Sequence, residues 1–145
     1  MRVGGRSLVL LPLHKARVSV FNYDELPAGY YHRAMTSGGA VQRFWHRQKF
    51  LEVAKRVPNG ARVLDLGCGP GSFLSVLAET HPNVQAVGID IASRQIDYAR
   101  AEIGAKIPGG RISFQAMDPS VDKLPFPNAS FDVIPSVEVL EHIHP

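Results

Sequence analysis

Residues 62–71 constrain this chain more than any other stretch. Arg62-Val63-Leu64-Asp65-Leu66 is a short apolar-rich run of strand length, and it breaks on Gly67-Cys68-Gly69-Pro70-Gly71. A helical pattern follows at once over residues 72–80 and stops at His81-Pro82-Asn83. Three glycines in five residues let the backbone turn sharply and let a ligand approach the main chain closely. A turn of this kind between a strand and a helix commits the chain to a parallel α/β arrangement, and the downstream sequence repeats the unit.

Residues 84–90 read as a second strand and residues 93–104 as a second helix, with Ser93 as N-cap and Gly104 as C′ residue. Residues 111–116 read as a third strand. A Pro-rich connection follows over 119–128, then a fourth strand over 131–134 (FDVI) and the start of a helix over 137–143. Upstream, residues 41–57 read as a helix in which Val41, Phe44, Trp45, Leu51, Ala54 and Val57 form the buried stripe, so that Phe44 and Trp45 are expected in core or cap packing. Pro58-Asn59-Gly60 ends it. Tyr30, Tyr31 and His32 are expected just ahead of that helix, packed against the sheet or closing over a ligand.

Composition agrees with one globular unit. Of 145 residues, 45% are hydrophobic and 20% charged, which excludes disordered, collagenous and disulfide-scaffold classes. Cys68 is the single cysteine, so no intrachain disulfide forms, and a reducing, cytoplasmic setting is the default reading. No apolar run approaches the ~20 residues that a membrane span requires. Charge is divided: residues 1–62 carry eleven Lys/Arg and three Asp/Glu, residues 63–145 five and ten. The basic residues are scattered, with no run of five. A solvated helical face and a basic extension over residues 1–20 therefore account for them better than a nucleic-acid site or an organelle-targeting peptide.

The acids define the ligand. Asp65 stands two residues before Gly67, and the third glycine of a G-x-G-x-x-G dinucleotide fingerprint is replaced by Ser72. A diphosphate on a helix N-terminus wants N–H groups and a positive dipole end. A carboxylate at the strand tip opposes such an anion: at ~4 Å and an effective dielectric of 20, like unit charges repel by about 4 kcal/mol and opposite charges attract equally. The turn therefore suits a ligand with ammonium or sulfonium charge beside a nucleoside. Asp90 closes the second strand, where a carboxylate accepts from both ribose hydroxyls or merely starts the next turn. After the third strand, Met117 and Asp118 offer an apolar face and an acceptor for an adenine; alternatively, Asp118 caps the turn before Pro119.

The ordered series VLDLGCGPG (63–71), GID (88–90), MD (117–118), LPFPNASFDVI (124–134) and EVLEHI (138–143) resembles the successive motifs of class I S-adenosylmethionine-dependent methyltransferases, nearest the type 11, ubiquinone/menaquinone-biosynthesis-like group. The resemblance implies a Rossmann-like, doubly wound parallel sheet with an N-terminal helical cap over residues 21–61. The cofactor half of the domain would occupy residues 62–145, truncated after the fourth strand of a seven-stranded family sheet. It implies that Gly67, Cys68, Gly69 and Gly71 line the methionine moiety, with Asp65 near its amino group. Asp90 and Ile91 would lie at the ribose, Met117 and Asp118 at the adenine, and Ser136 and Val137 near the transferred methyl. The partner it implies is a small-molecule O, N or C nucleophile; the alternatives are a binding-only or inactive fragment of such an enzyme and, further off, a nicotinamide-dependent oxidoreductase or a nucleic-acid methyltransferase.

Two departures stand out. Pro135 ends the fourth strand and cannot donate to a ladder. An unpaired fourth strand would leave an open edge that invites self-association. Cys68 has no indicated partner for thiol catalysis. His142 and His144, beside Glu138 and Glu141, lack the H-E-x-x-H spacing of a metal site and read as a charged helix end, with no metal expected. His142 is the one candidate general base, needed only if the acceptor must lose a proton.

Overall fold

The computed structural model describes residues 26–121 and 123–137. Seven regular elements follow in order: α1 (Tyr30–Ser37), α2 (Ala40–Ala54), β1 (Arg62–Leu66), α3 (Ser72–Thr80), β2 (Gln85–Asp90), α4 (Ser93–Glu102) and β3 (Ile112–Ala116). Two 3-10 turns, Gly104–Lys106 and Pro108–Gly110, link α4 to β3. The strands lie parallel in the order β1-β2-β3, with Val63, Ala86 and Ile112 in one row across the sheet. The α/β alternation expected from the sequence is the observed fold.

The side-chain period of two explains how the helices sit. Val63, Ala86, Ile112 and Phe114 turn to one face of the sheet and join Phe73, Leu74, Val76 and Leu77 of α3 and Ile96 and Ala99 of α4 in a single core. Phe50, Ala54 and Val57 extend that core into α2, where the Phe50 and Phe73 rings meet at 6.1 Å.

Several elements differ from expectation. The fourth strand is reduced to one parallel bridge between Val63 and Val133, on the side of β1 away from β2. Its rungs show why. Val133 N–H donates to Arg62 C=O at 3.3 Å, Leu64 N–H to Val133 C=O at 3.0 Å and Leu66 N–H to Pro135 C=O at 3.0 Å. In this parallel alternation the rung between the last two needs the N–H of residue 135, and proline has none, so the ladder skips a rung and only one bridge forms. Asp132 anchors the segment through Arg62, whose guanidinium lies 3.0 Å from it.

Helix α4 is capped at Ala92 rather than Ser93, which is the first helical residue. Ile103 is its C-cap, which puts Gly104 at C′ as expected. Tyr30, Tyr31 and His32 form the first turn of a helix, α1, that the sequence pattern does not reveal, and both tyrosines are exposed. In α2 the expected stripe is half wrong: Ala54 and Val57 are buried, but Val41, Phe44 and Trp45 face outward, and Phe50 takes the core position. The extension over residues 1–20 and the helix expected beyond residue 137, including His142, lie outside the described residues.

Candidate cofactor site

The sequence-predicted acids meet at the carboxyl ends of the strands, the edge at which open α/β sheets take ligands. Gly67, Gly69 and Gly71 have φ of 74°, 50° and 80°, left-handed values that non-glycine residues adopt at a cost. At Gly71 the space is also closed, since a Cβ would lie 2.7 Å from the Phe114 ring. A Cβ at Gly69 would meet nothing within 4 Å, so that backbone faces open space.

The turn's donors are already committed. Gly67 N–H and Cys68 N–H both donate to the Ile89 carbonyl, at 2.9 and 3.0 Å, and Gly71 N–H donates to the Cys68 carbonyl at 2.9 Å. Gly69 N–H donates to Asp90 Oδ2 at 2.7 Å, while Asp90 Oδ1 accepts from Ala92 N–H at 2.8 Å. Asp90 therefore bridges the two βα turns, so its turn-starting role is real. Each carboxylate oxygen keeps a further lone pair, so a ribose hydroxyl still has an acceptor there.

Asp65 is the unusual group. It is 2% exposed, and its Oδ2 has no hydrogen-bond partner. Burial, and then the negative charge of Asp90, push its pKa up to about 7. Two more buried oxygens lack a partner: Ser72 Oγ at the start of α3, and Ser136 Oγ just after Pro135, whose carbonyl bonds the end of β1. Unpartnered buried polar atoms are costly, and a ligand bearing N–H donors would satisfy them. Burial, with Asp65 and Asp90 adding to it, raises the Cys68 thiol far above its ordinary range, so it stays protonated and inert.

At the tip of the third strand two residues bond within the chain. Met117 N–H donates to the Asp90 carbonyl at 2.8 Å, pinning two strand tips together. Asp118 is exposed, and its Oδ1 accepts from both Ser120 Oγ at 2.7 Å and Ser120 N–H at 2.8 Å, bonds that hold its carboxyl below the usual range. It caps its own turn. Ile91 stands 54% exposed beside Asp90, an apolar side chain at the mouth of the site, and Val137 packs on the core.

Gln95 was not foreseen. It is 5% exposed, and its Oε1 accepts from Gly29 N–H at 2.9 Å. His32 Nδ1 lies 2.9 Å from the Tyr98 hydroxyl one turn further along α4, and burial, then Lys106, lowers the histidine pKa. Together these contacts tie the start of α1 to the helix that leaves the Asp90 turn. No sequence period signals a buried polar residue of this kind. Among the described residues, no group of three His, Cys, Asp or Glu side chains could hold a metal, and no helix is long and apolar enough to cross a membrane.

Comparison with known proteins agrees with this geometry. A family model described as a methyltransferase domain matches residues 63–145. The O-methyltransferase cnsE of Penicillium expansum is 40% identical over 84 residues, covering 58% of this chain and 29% of that protein. The demethylmenaquinone methyltransferase of Deinococcus radiodurans is 36% identical over 94 residues, covering 65% of this chain and 36% of that protein. Among solved structures, the [4+2]-cyclase SpnF superposes with a TM-score of 0.54 at 27% identity, covering 61% of this chain and 32% of that one. The chain belongs to the methyltransferase-domain family and carries, in part, the α/β domain of the class I S-adenosylmethionine-dependent enzymes. It spans about a third of the length of the curated relatives it matches.

Proposed function

We propose that the site binds S-adenosylmethionine and serves methyl transfer to a small-molecule nucleophile, with oxygen as the accepting atom in line with the O-methyltransferase relative. One observation carries the choice of cofactor. The N–H groups of Gly67, Cys68, Gly69 and Gly71 are spent inside the protein, while the buried Asp65 carboxylate has an oxygen without a partner. A phosphate finds few donors on such a turn and a carboxylate against it; an ammonium finds an acceptor. This disfavours a nicotinamide dinucleotide and favours the amino-acid end of S-adenosylmethionine.

In this reading Asp65 and the glycine turn hold the methionine moiety, and Asp90 accepts from the ribose hydroxyls. Ile91, Met117 and Asp118 border the nucleoside, and Ser136 and Val137 lie toward the methyl. The bound cofactor supplies an electrophilic methyl group on a sulfonium. The chain's own contribution is to fix donor and acceptor in line, with a base needed only where the acceptor must lose a proton. His142 is the residue proposed for that need. A cytoplasmic setting rests on the single, buried, reduced Cys68.

The test is calorimetric titration of the protein with S-adenosylhomocysteine and, separately, NAD. Binding of the first alone is expected, weakened by ~1–3 kcal/mol in Asp90→Ala. Preference for NAD would overturn the reading, and unchanged affinity in Asp90→Ala would remove Asp90 from the ribose.

A second reading, cofactor binding without turnover, is favoured by the described sheet, which has three full strands and a single bridge beside them. Methyl transfer from labelled cofactor to a panel of phenols separates the two.

A further inference from the structure

The outward face of the first turns of α2 is apolar, and the core does not account for it. Val41, Phe44 and Trp45 share a face by their three- and four-residue spacing, and they are 72%, 59% and 68% exposed. Phe50 and Ala54, which do pack on the core, lie on the opposite side of the helix. The Phe44 and Trp45 rings stand edge to face at 6.2 Å and make one aromatic ridge.

The same unit is cationic. Residues 26–61 carry six Lys/Arg and one acid, Glu52, which is already paired with Lys55. Arg47 is paired with Glu79 of α3. Arg33 and Arg43 donate to the carbonyls of Ala28 and Gly38, neutral acceptors that do not cancel their charge.

We propose that this face docks on an anionic lipid surface, with Val41, Phe44 and Trp45 seated at the headgroup boundary and the net positive charge of residues 26–61 drawing the unit down. Two features favour a bilayer over a folded partner. The three side chains expose on the order of 400 Å² on a convex helix, against the ~800 Å² per partner of a stable protein interface. A lipid surface asks for no shape match, accepts a tryptophan at headgroup depth, and rewards diffuse positive charge. The proposal concerns peripheral docking and does not depend on the methyl-transfer reading.

Trp45 is the only tryptophan of the chain, so its emission reports this face alone. The full chain is mixed with vesicles of phosphatidylcholine, with or without about one quarter phosphatidylserine. The expected result is a blue shift of Trp45 emission and shielding from iodide on the anionic vesicles only, weakened by added salt. Co-sedimentation should fall at least ~10-fold in Val41→Ser/Phe44→Ser. These positions are exposed, so the variant's fold, checked by circular dichroism, should be retained. Unchanged emission on anionic vesicles would overturn the proposal, as would binding equal in that variant. Shielding of Trp45 without lipid that disappears on dilution would place a second copy on the face instead. Shielding that disappears when residues 1–20 are removed would place that segment there.

Discussion

Helices α2 and α3 pack against each other yet live under different rules. Helix α3 has nine residues, and five of them, Ser72, Phe73, Leu74, Val76 and Leu77, are buried. Helix α2 has fifteen, and only Phe50 and Ala54 are buried. Both carry large apolar side chains at helical spacing, but α2 intersperses them with Arg43, Arg47, Lys49 and Glu52, where α3 has Glu79 alone. Position matches this: α3 shares one core with the sheet and leaves directly from the glycine turn, whereas α2 reaches that core only through its second half. The site inherits this difference. The strand tips and the start of α3 form a packed, nearly donor-saturated frame, and the first half of α2 is a surface.

Four measurements test that contrast. Leu74→Ala should cost ~2–5 kcal/mol in chemical denaturation, because a fully buried leucine leaves a cavity; a loss below ~1 kcal/mol would mean that α3 is not the packed partner described. Asp65 should make stability depend on pH. The unfolded chain releases this proton near the ordinary 3.8 and the folded chain holds it to about 7. Stability should therefore fall as pH rises between those values and level off above, by up to about 4 kcal/mol. Asp65→Asn should abolish the slope, and saturating S-adenosylhomocysteine should reduce it by supplying an ammonium. Gly71→Ala should cost at least ~1–2 kcal/mol from its left-handed backbone and the Phe114 ring. Trp45→Ala should change stability by no more than ~0.5 kcal/mol; a larger loss would show that the outward face of α2 is covered within the chain.

What the sequence disclosed follows the same division. Residues 62–116 were legible because strand length, glycine placement and helical period all point one way there. The acids Asp65 and Asp90 were found by their places at strand ends, and both stand where that reasoning put them. The failures have physical causes. An apolar stripe does not say which way it faces: spacing alone favours Val41, Phe44 and Trp45 for the core, whereas Phe50 takes that place. The eight residues of α1 carry too little pattern to register. Residues 131–134 have strand-like composition, but Pro135 lacks the N–H that the next rung needs, so only one bridge forms. Asp118 was left open between adenine and turn, and only geometry shows both Ser120 donors on it. Ser72 and Gln95 were invisible because a buried polar atom is defined by its neighbours, not by spacing.

The bridge from Asp90 to Gly69 and Ala92 bears on how a ligand would be received. Because one carboxylate fastens both turns through the chain's own N–H groups, the receiving surface is ordered by the fold itself, and little conformational entropy remains to be surrendered on association. Ligand uptake should therefore be fast and nearly rigid-body, with the heat-capacity change of a small buried apolar area rather than of a folding loop. Cutting that fastening at residue 90 would return the ordering cost to the binding step, slowing arrival as well as hastening departure.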